Sequence, residues 1–306
     1  MSLNIIFMGT PEFSVKSLES LIKSNYKILC VYSQPPKKKG RGQKSKISPV
    51  HKIAEKYNLT VRTPNNLNTD EEINYFKSTK PNVVIVVAYG KLIPEQILKI
   101  PNVLFINLHA SLLPKWRGAA PIERSILNKD RETGVSIMKI ISDLDAGPYL
   151  KQVKIKLNKN DTYGEIYKKL SEVGANALIE SLKIIENGNI KFIDQDNEKS
   201  SYAKKIEKDE TKINWFNNAN DVIAKINAFS PYPGAWFSLN GKRIKILKAK
   251  EVDKKGNACE IIDNDFVVAC SSNSIKVLEL QKEGKRAMKT REFLIGNKLT
   301  KGIKLF

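Results

Sequence analysis

The run Val83-Val84-Ile85-Val86-Val87 is the strongest constraint on what this chain can fold into. Five consecutive β-branched residues leave no polar face. A strand made of them must be covered on both sides, as in a parallel sheet flanked by helices. Segments 3–8, 28–32, 103–106 and 135–140 are further apolar runs of strand length. Helical patterns fall between them: Val15, Leu18, Leu21 and Ile22 share one face after the first run. Ser48-Pro49 opens another helix, Ser as cap and Pro at the first helical position, with Val50, Ile53, Ala54 and Tyr57 on its apolar side. Alternating strands and helices predict an α/β fold, a Rossmann-like domain with a mostly parallel sheet. The Gly-x-Gly-x-x-Gly fingerprint is absent, so a bound dinucleotide is not supported.

In such sheets ligands gather at the carboxyl ends of the strands. The run 103–106 ends in Asn107-Leu108-His109. Alternation along a strand puts Asn107 and His109 on one face. An amide and an imidazole converging there can donate hydrogen bonds to a developing oxyanion, and the imidazole can carry a proton. The chain has two histidines. His51 falls off the apolar face of its helix and reads as a surface residue. Beyond 135–140 lies the loop Ile141-Ser142-Asp143-Leu144-Asp145-Ala146-Gly147-Pro148. Either of its two acids could pair with His109 and fix its tautomer, although Asp and Gly also favour turns.

The second part of the chain changes character. Residues 161–187 predict a long helix with Ile166, Leu170, Val173, Ala177, Leu178 and Leu182 on one face, capped by Asp161 or Thr162 and closed by Asn187-Gly188. Short alternating strands with turn signals follow, which predicts a small barrel. We divide the chain into 1–189, a polar linker 190–205, and 206–306. Its 52 basic and 32 acidic residues leave a net charge of +20. The excess is shared: 29 basic against 17 acidic residues in 1–189, and 23 against 15 in 190–306. Such a balance points to a polyanionic partner. The densest cationic stretch is 34–46, where six of thirteen residues are basic and all periodicity breaks, predicting a loop. Three scattered cysteines show neither metal-ligand spacing nor a disulfide framework. No apolar run approaches about 18 residues and the N-terminal segment has no basic leader, so the sequence predicts a cytoplasmic protein with no membrane partner.

Asn107-x-His109 followed by Ser111-Leu112-Leu113-Pro114-Lys115-Trp116-Arg117-Gly118-Ala119-Ala120-Pro121-Ile122 resembles the signature of the 10-formyltetrahydrofolate-dependent formyltransferases. Within them it is most similar to the branch acting on methionyl-tRNA. The resemblance extends over essentially the whole chain and is densest in 85–147. It implies a catalytic domain at 1–189 and an OB-like, tRNA-binding β-barrel at 206–306. It implies Asn107, His109 and Asp145 as catalytic residues, Asp145 because the family's aspartate stands two residues before the loop glycine. Where the family often has an acid after that glycine, this chain has Pro148. Ala88, Tyr89 and Gly90, with Ser111, Leu112, Leu113, Pro114, Asp143 and Leu144, would hold the folate. A basic insertion at 34–46 would meet the acceptor end of the tRNA through Lys37, Lys38, Lys39, Arg41 and Lys44. The co-substrate implied is 10-formyltetrahydrofolate, the acceptor methionyl-initiator tRNA, with no metal and no protein partner.

Overall fold

The computed structural model describes residues 3–39 and 44–305. They form two compact units. The first holds residues up to 118 with 134–155 and 167–202, and the second holds 119–133, 156–166 and 203 onward.

The chain begins β1 (Asn4–Gly9), α1 (Glu12–Lys23), β2 (Lys27–Tyr32), β3 (Lys37–Lys39), β4 (Lys44–Lys46), α2 (Pro49–Lys56), β5 (Val61–Arg62), α3 (Asp70–Thr79), β6 (Val83–Val87) and α4 (Glu95–Leu98). It continues β7 (Leu104–His109), β8 (Arg117–Gly118), α5 (Pro121–Leu127), β9 (Glu132–Lys139), β10 (Tyr149–Lys156) and α6 (Tyr163–Glu186). Seven of these strands form one sheet in the order β10-β9-β7-β6-β1-β2-β5. The pairs β1–β2, β1–β6, β2–β5 and β6–β7 are parallel, and β7–β9 is antiparallel. The sheet is thus mostly parallel, with β6 in its interior as its unbroken β-branched run requires. Strand order reverses between β1 and β6, so the crevice beyond their carboxyl ends is where this topology seats a ligand.

Local chemistry starts the helices where the sequence indicates. Ser48 Oγ accepts from the His51 N–H at the start of α2, and Thr69 Oγ1 from the Glu72 N–H at the start of α3. At α6 Thr162 is the cap: its N–H and hydroxyl both donate to Glu165 Oε2, and the Glu165 N–H returns to Thr162 Oγ1. On one side of the sheet the core holds Ile6, Met8, Tyr32, Phe76, Val84 and Tyr89. Tyr32 stacks on Phe76 with ring centroids 5.1 Å apart.

β7 runs through His109, so Asn107 and His109 stand at the carboxyl end of the strand and share the rigidity of the sheet. One expectation changes in detail: the cationic stretch is not all loop. β3 and β4 pair antiparallel, Lys37 opposite Lys46; residues 40–43, Arg41 among them, lie outside the described residues. The polar segment from residue 190 carries backbone bonds of its own up to residue 201. Tyr149 and Ile193 exchange two backbone bonds of 2.9 Å, and Ser201 O accepts from the Arg117 N–H at 2.8 Å.

The second unit adds β11 (Tyr202–Ala203), α7 (Ala219–Phe229), β12 (Ala235–Leu239), β13 (Lys242–Val252), β14 (Ile261–Asp263), β15 (Val267–Ala269), β16 (Ser274–Lys282), β17 (Ala287–Lys289) and α8 (Thr290–Ile295). Its sheet runs β12-β13-β16-β15-β14 with β17 also on β16, and the pairs are antiparallel. Trp215, Phe237, Phe266 and Phe293 pack ring against ring beneath it. Segments 119–133 and 156–166, expected in the first domain, cluster with this unit.

Phe76 is fully buried and carries the stack under β2. Phe76→Ala should cost about 3–5 kcal/mol through lost burial and the cavity left behind. Urea denaturation checks this, with the midpoint falling and the slope unchanged.

Candidate active site

β7 fixes Asn107 and His109 two residues apart on one face, with His109 directly opposite Ser136 of β9. His109 is buried, and its ring is held from both sides. Nε2 lies 2.8 Å from the Trp116 carbonyl, an acceptor only, so Nε2 carries a hydrogen. Nδ1 lies 3.5 Å from Asp145 Oδ2.

The carboxylate of Asp145 gathers the rest. Its Oδ2 accepts the Gly118 N–H at 2.9 Å, and its Oδ1 lies 3.4 Å from Asn107 Nδ2. Three sequence-distant groups therefore meet at one side chain, and Asn107, His109 and Asp145 are brought together as the resemblance implies. The loop that delivers Asp145 is itself constrained. Asp145 has φ +48°, a left-handed conformation that Asp tolerates better than most residues. Two residues on, a Cβ at Gly147 would stand 2.0 Å from the Lys139 carbonyl oxygen, so only glycine fits. Gln195 locks the turn: its Nε2 donates to Asp145 O at 2.9 Å and to Gly147 O at 2.6 Å. Gln195 is held in turn by Arg117, whose Nε and Nη2 both donate to Gln195 Oε1 at 2.9 and 2.8 Å. Arg117 Nη2 also donates to Asn197 Oδ1 at 2.7 Å.

The loop from Ser111 to Gly118 is pinned with equal care. Ser111 Oγ donates to Lys115 O at 2.6 Å. Ser136 Oγ donates to Ser111 O and accepts the Leu113 N–H, while Gln152 Nε2 donates to Leu113 O and Ser136 Oγ. The Trp116 N–H donates to Ser201 Oγ at 2.9 Å. Of the residues expected to hold folate, Ser111 and Leu113 are buried in this scaffold, whereas Leu112 and Pro114 are partly exposed. Asp143, Leu144, Ala88 and Gly90 are exposed. Tyr89 stands apart. Its ring is 1% exposed within the core, its hydroxyl has no hydrogen-bond partner, and burial pushes its pKa up to about 12. What the 88–90 loop offers a ligand is backbone and the small residues on either side of that ring.

The cationic hairpin is tied to the same loop at its base. Lys37 Nζ donates to Gln34 Oε1 at 2.7 Å, and Gln34 Nε2 donates to the carbonyls of Tyr89 and Gly90, each at 3.0 Å. Lys38, Lys39 and Lys44 lie in the two strands, and Arg41 lies outside the described residues. Among the described residues no group of three His, Cys, Asp or Glu could hold a metal ion.

Sequence reasoning missed Gln195, the clamp role of Arg117, and the Ser136–Gln152 pair. Arg117 stands inside the signature run, so its side chain was open to notice. Gln195 lies in a polar segment without periodicity, and nothing in the sequence marks it.

Comparison with known proteins follows from this geometry. Residues 3–182 match the family described as formyl transferase, and residues 205–298 match the formyl transferase C-terminal domain. The methionyl-tRNA formyltransferase of Pelagibacter ubique is 46% identical over 307 residues, covering 100% of this chain and 99% of the relative. That of Rhizobium leguminosarum is 42% identical over 310 residues, with 100% of both chains covered. Among solved structures, the N-formyltransferase of Helicobacter canadensis, in complex with folinic acid and dTDP-3-aminofucose, superposes with a TM-score of 0.70 at 23% identity, covering 92% of this chain and 100% of that one. HypX from Aquifex aeolicus, in complex with tetrahydrofolic acid, gives 0.68 at 15% identity over 99% of this chain and 51% of that one, so this chain spans about half of it. These two show a shared fold.

The unpartnered Tyr89 hydroxyl yields a test. A buried donor with no acceptor costs about 1–3 kcal/mol. Tyr89→Phe should therefore raise the unfolding free energy by about 1 kcal/mol or more; a drop in the urea midpoint would mean that the hydroxyl has a partner.

Proposed function

The chain belongs to the formyl transferase family, and on that premise we propose that it transfers the formyl group of 10-formyltetrahydrofolate to the α-amino group of methionine carried by initiator tRNA. Such an enzyme serves translation initiation and acts in the cytoplasm, where charged tRNA is found. The observation that carries the reading is the convergence of Asn107, His109 and the Gly118 N–H on the carboxylate of Asp145. Full coverage by relatives named methionyl-tRNA formyltransferase supports the choice of acceptor.

The residues divide the work as follows. The methionyl amine attacks the formyl carbon, and negative charge develops on the formyl oxygen. Asn107 has two amide hydrogens: one faces Asp145, and the other is available to that oxygen. The Nε2–H of His109, which now bonds the Trp116 carbonyl, is the second donor for it. Asp145 fixes the His109 ring from Nδ1 and takes up the amine's proton, directly or through water. The carbon–nitrogen bond to the folate then breaks as its nitrogen receives a proton. Ala88, Tyr89 and Gly90, with Ser111 to Pro114, Asp143 and Leu144, hold the folate, Tyr89 through its backbone. Lys37, Lys38, Lys39, Arg41 and Lys44 grip the acceptor end of the tRNA, and the unit containing residues 206–306 adds affinity for it.

Radiolabelled formyl incorporation into methionyl-tRNA, compared with nucleotide-linked amino sugars, tests the acceptor. Incorporation into the sugar alone would move the protein to another branch of the family. For the site, His109→Ala should lower kcat by orders of magnitude. Asn107→Ala, which removes one oxyanion donor, should lower it by roughly 10²–10³. Gln195→Ala should lower kcat less, with KM for tRNA unchanged, because Gln195 positions Asp145 and touches no reacting atom. Near-normal turnover in the His109 variant would remove it from the mechanism.

The basic stretch has its own test. Guanidinium grips phosphate bidentately or stacks on a base, and ammonium does neither as well. Arg41→Ala should strongly reduce kcat/KM for methionyl-tRNA, Arg41→Lys should restore it in part, and folate affinity should hold in both. Unchanged tRNA kinetics in Arg41→Ala would reduce the stretch to a solvated surface.

A further inference from the structure

Trp116 stands in a conformation that its side chain disfavours. Its φ is +62°, in the left-handed region that glycine enters freely and a bulky aromatic residue does not. Such backbone persists only where the surroundings over-determine it. A turn that had merely to close there would be better served by glycine.

The residue that holds Trp116 in this state is Ser201. Its Oγ accepts the Trp116 N–H at 2.9 Å, and its carbonyl accepts the Arg117 N–H at 2.8 Å. The Ser201 N–H donates to Pro114 O at 3.3 Å. The torsion φ of Trp116 is rotation about the bond between its N and Cα. One Ser201 acceptor grips the peptide before that bond and the other grips the peptide after it. Together they set the angle.

What the angle delivers is the Trp116 carbonyl. It lies 2.8 Å from His109 Nε2 and, being an acceptor only, keeps the hydrogen on that nitrogen. Rotation to an ordinary negative φ would carry the 116–117 peptide, and its carbonyl oxygen, away from the imidazole. The next two residues support the same site. Arg117 holds Gln195, and the Gly118 N–H donates to Asp145 Oδ2. Closing the chain explains the two backbone bonds of Ser201. It does not explain the hydroxyl, a side-chain acceptor placed on the N–H of the strained residue.

We propose that Ser201 is a positioning residue for formyl transfer. By holding Trp116 left-handed it keeps the Trp116 carbonyl on His109 Nε2, and so fixes the plane and the protonated nitrogen of the ring that donates to the formyl oxygen. The inference rests on the reading of His109 as an oxyanion donor in the formylation of methionyl-tRNA.

Two measurements on the full chain test it. In steady-state kinetics with methionyl-tRNA and 10-formyltetrahydrofolate, Ser201→Ala should lower kcat by roughly 10–100-fold, the scale of an ångström's misplacement of a reacting group. KM for tRNA, and Kd for a folate analogue by calorimetry, should hold, because Ser201 touches neither. Ser201→Thr keeps the hydroxyl and should restore most of kcat. Ser201→Val has the same shape without the hydroxyl and should not. The second measurement is proton NMR of imidazole N–H groups in protein with isotope-labelled histidine. The Nε2–H resonance of His109, identified by its absence in His109→Asn, should persist in Ser201→Thr and be lost to exchange with water in Ser201→Ala. In a Trp116→Gly background, where glycine takes the left-handed conformation unaided, adding Ser201→Ala should lower kcat far less than it does beside tryptophan.

Unaltered kcat and resonance in Ser201→Ala would overturn the proposal. So would a fall in kcat with the resonance intact, or an equal fall in the glycine background. If the unaltered protein formylates no methionyl-tRNA, the acceptor reading falls, and the resonance still decides whether Ser201 holds the His109 ring.

Discussion

Everything in the catalytic unit depends on the carboxylate of Asp145 finding enough hydrogen bonds. It is largely shielded from water, and a shielded charge is tolerated only when its oxygens are satisfied. Here one oxygen takes the Gly118 N–H and faces His109 Nδ1, and the other faces the Asn107 amide. These donors come from the end of β7 and from the far end of the loop that follows it. The carboxylate therefore holds that loop against the sheet while it orients the two polar side chains of β7. One interaction serves as structural clamp and as chemical positioning device, and loosening it would loosen both.

The clamp works because its own support is rigid. A left-handed φ at a non-glycine residue costs of order 1–3 kcal/mol, and it persists only where surroundings over-determine it. Gln195 does this for Asp145 by tying the carbonyls of residues 145 and 147 to one amide nitrogen. Arg117 then fixes the other end of that amide with two bonds. Arg117 is 4% exposed, and its partners are amide oxygens rather than a carboxylate. No carboxylate is paired with its guanidinium among the described residues.

The parts of this protein that were legible in the sequence are those written in local pattern. β6 was readable because its five β-branched residues admit no half-exposed strand, and β7 because an apolar run stops at two polar residues of equal parity. Asp145 was not separable from Asp143 by chemistry alone, since both suit a turn; the resemblance chose between them. Gln195 was illegible because its meaning lies in bonds to residues about 50 and 78 positions away. The Trp116 carbonyl, which holds the His109 ring, is backbone and leaves no trace in residue identity. The β3–β4 pairing went unread because lysine is a weak strand former and the period-2 signal of apolar alternation is missing. Segment 190–202 read as a linker for a similar reason: polar composition describes solvent contact, whereas its role is to supply acceptors and donors to a buried arginine and two carbonyls.

The cationic hairpin and the 88–90 loop meet through one side chain, and this connects two segments that the sequence leaves far apart. Gln34 spends its carbonyl oxygen on Lys37 and its amide nitrogen on the carbonyls of Tyr89 and Gly90. Thr10, at the end of β1, adds a third tie: its hydroxyl donates to Tyr89 O and accepts the Gln34 N–H. The first strand of the hairpin is thus anchored at the crevice between β1 and β6, where the topology seats a ligand. The buried Tyr89 ring keeps that anchor from sliding, because moving the 88–90 backbone would drag an aromatic side chain out of the core.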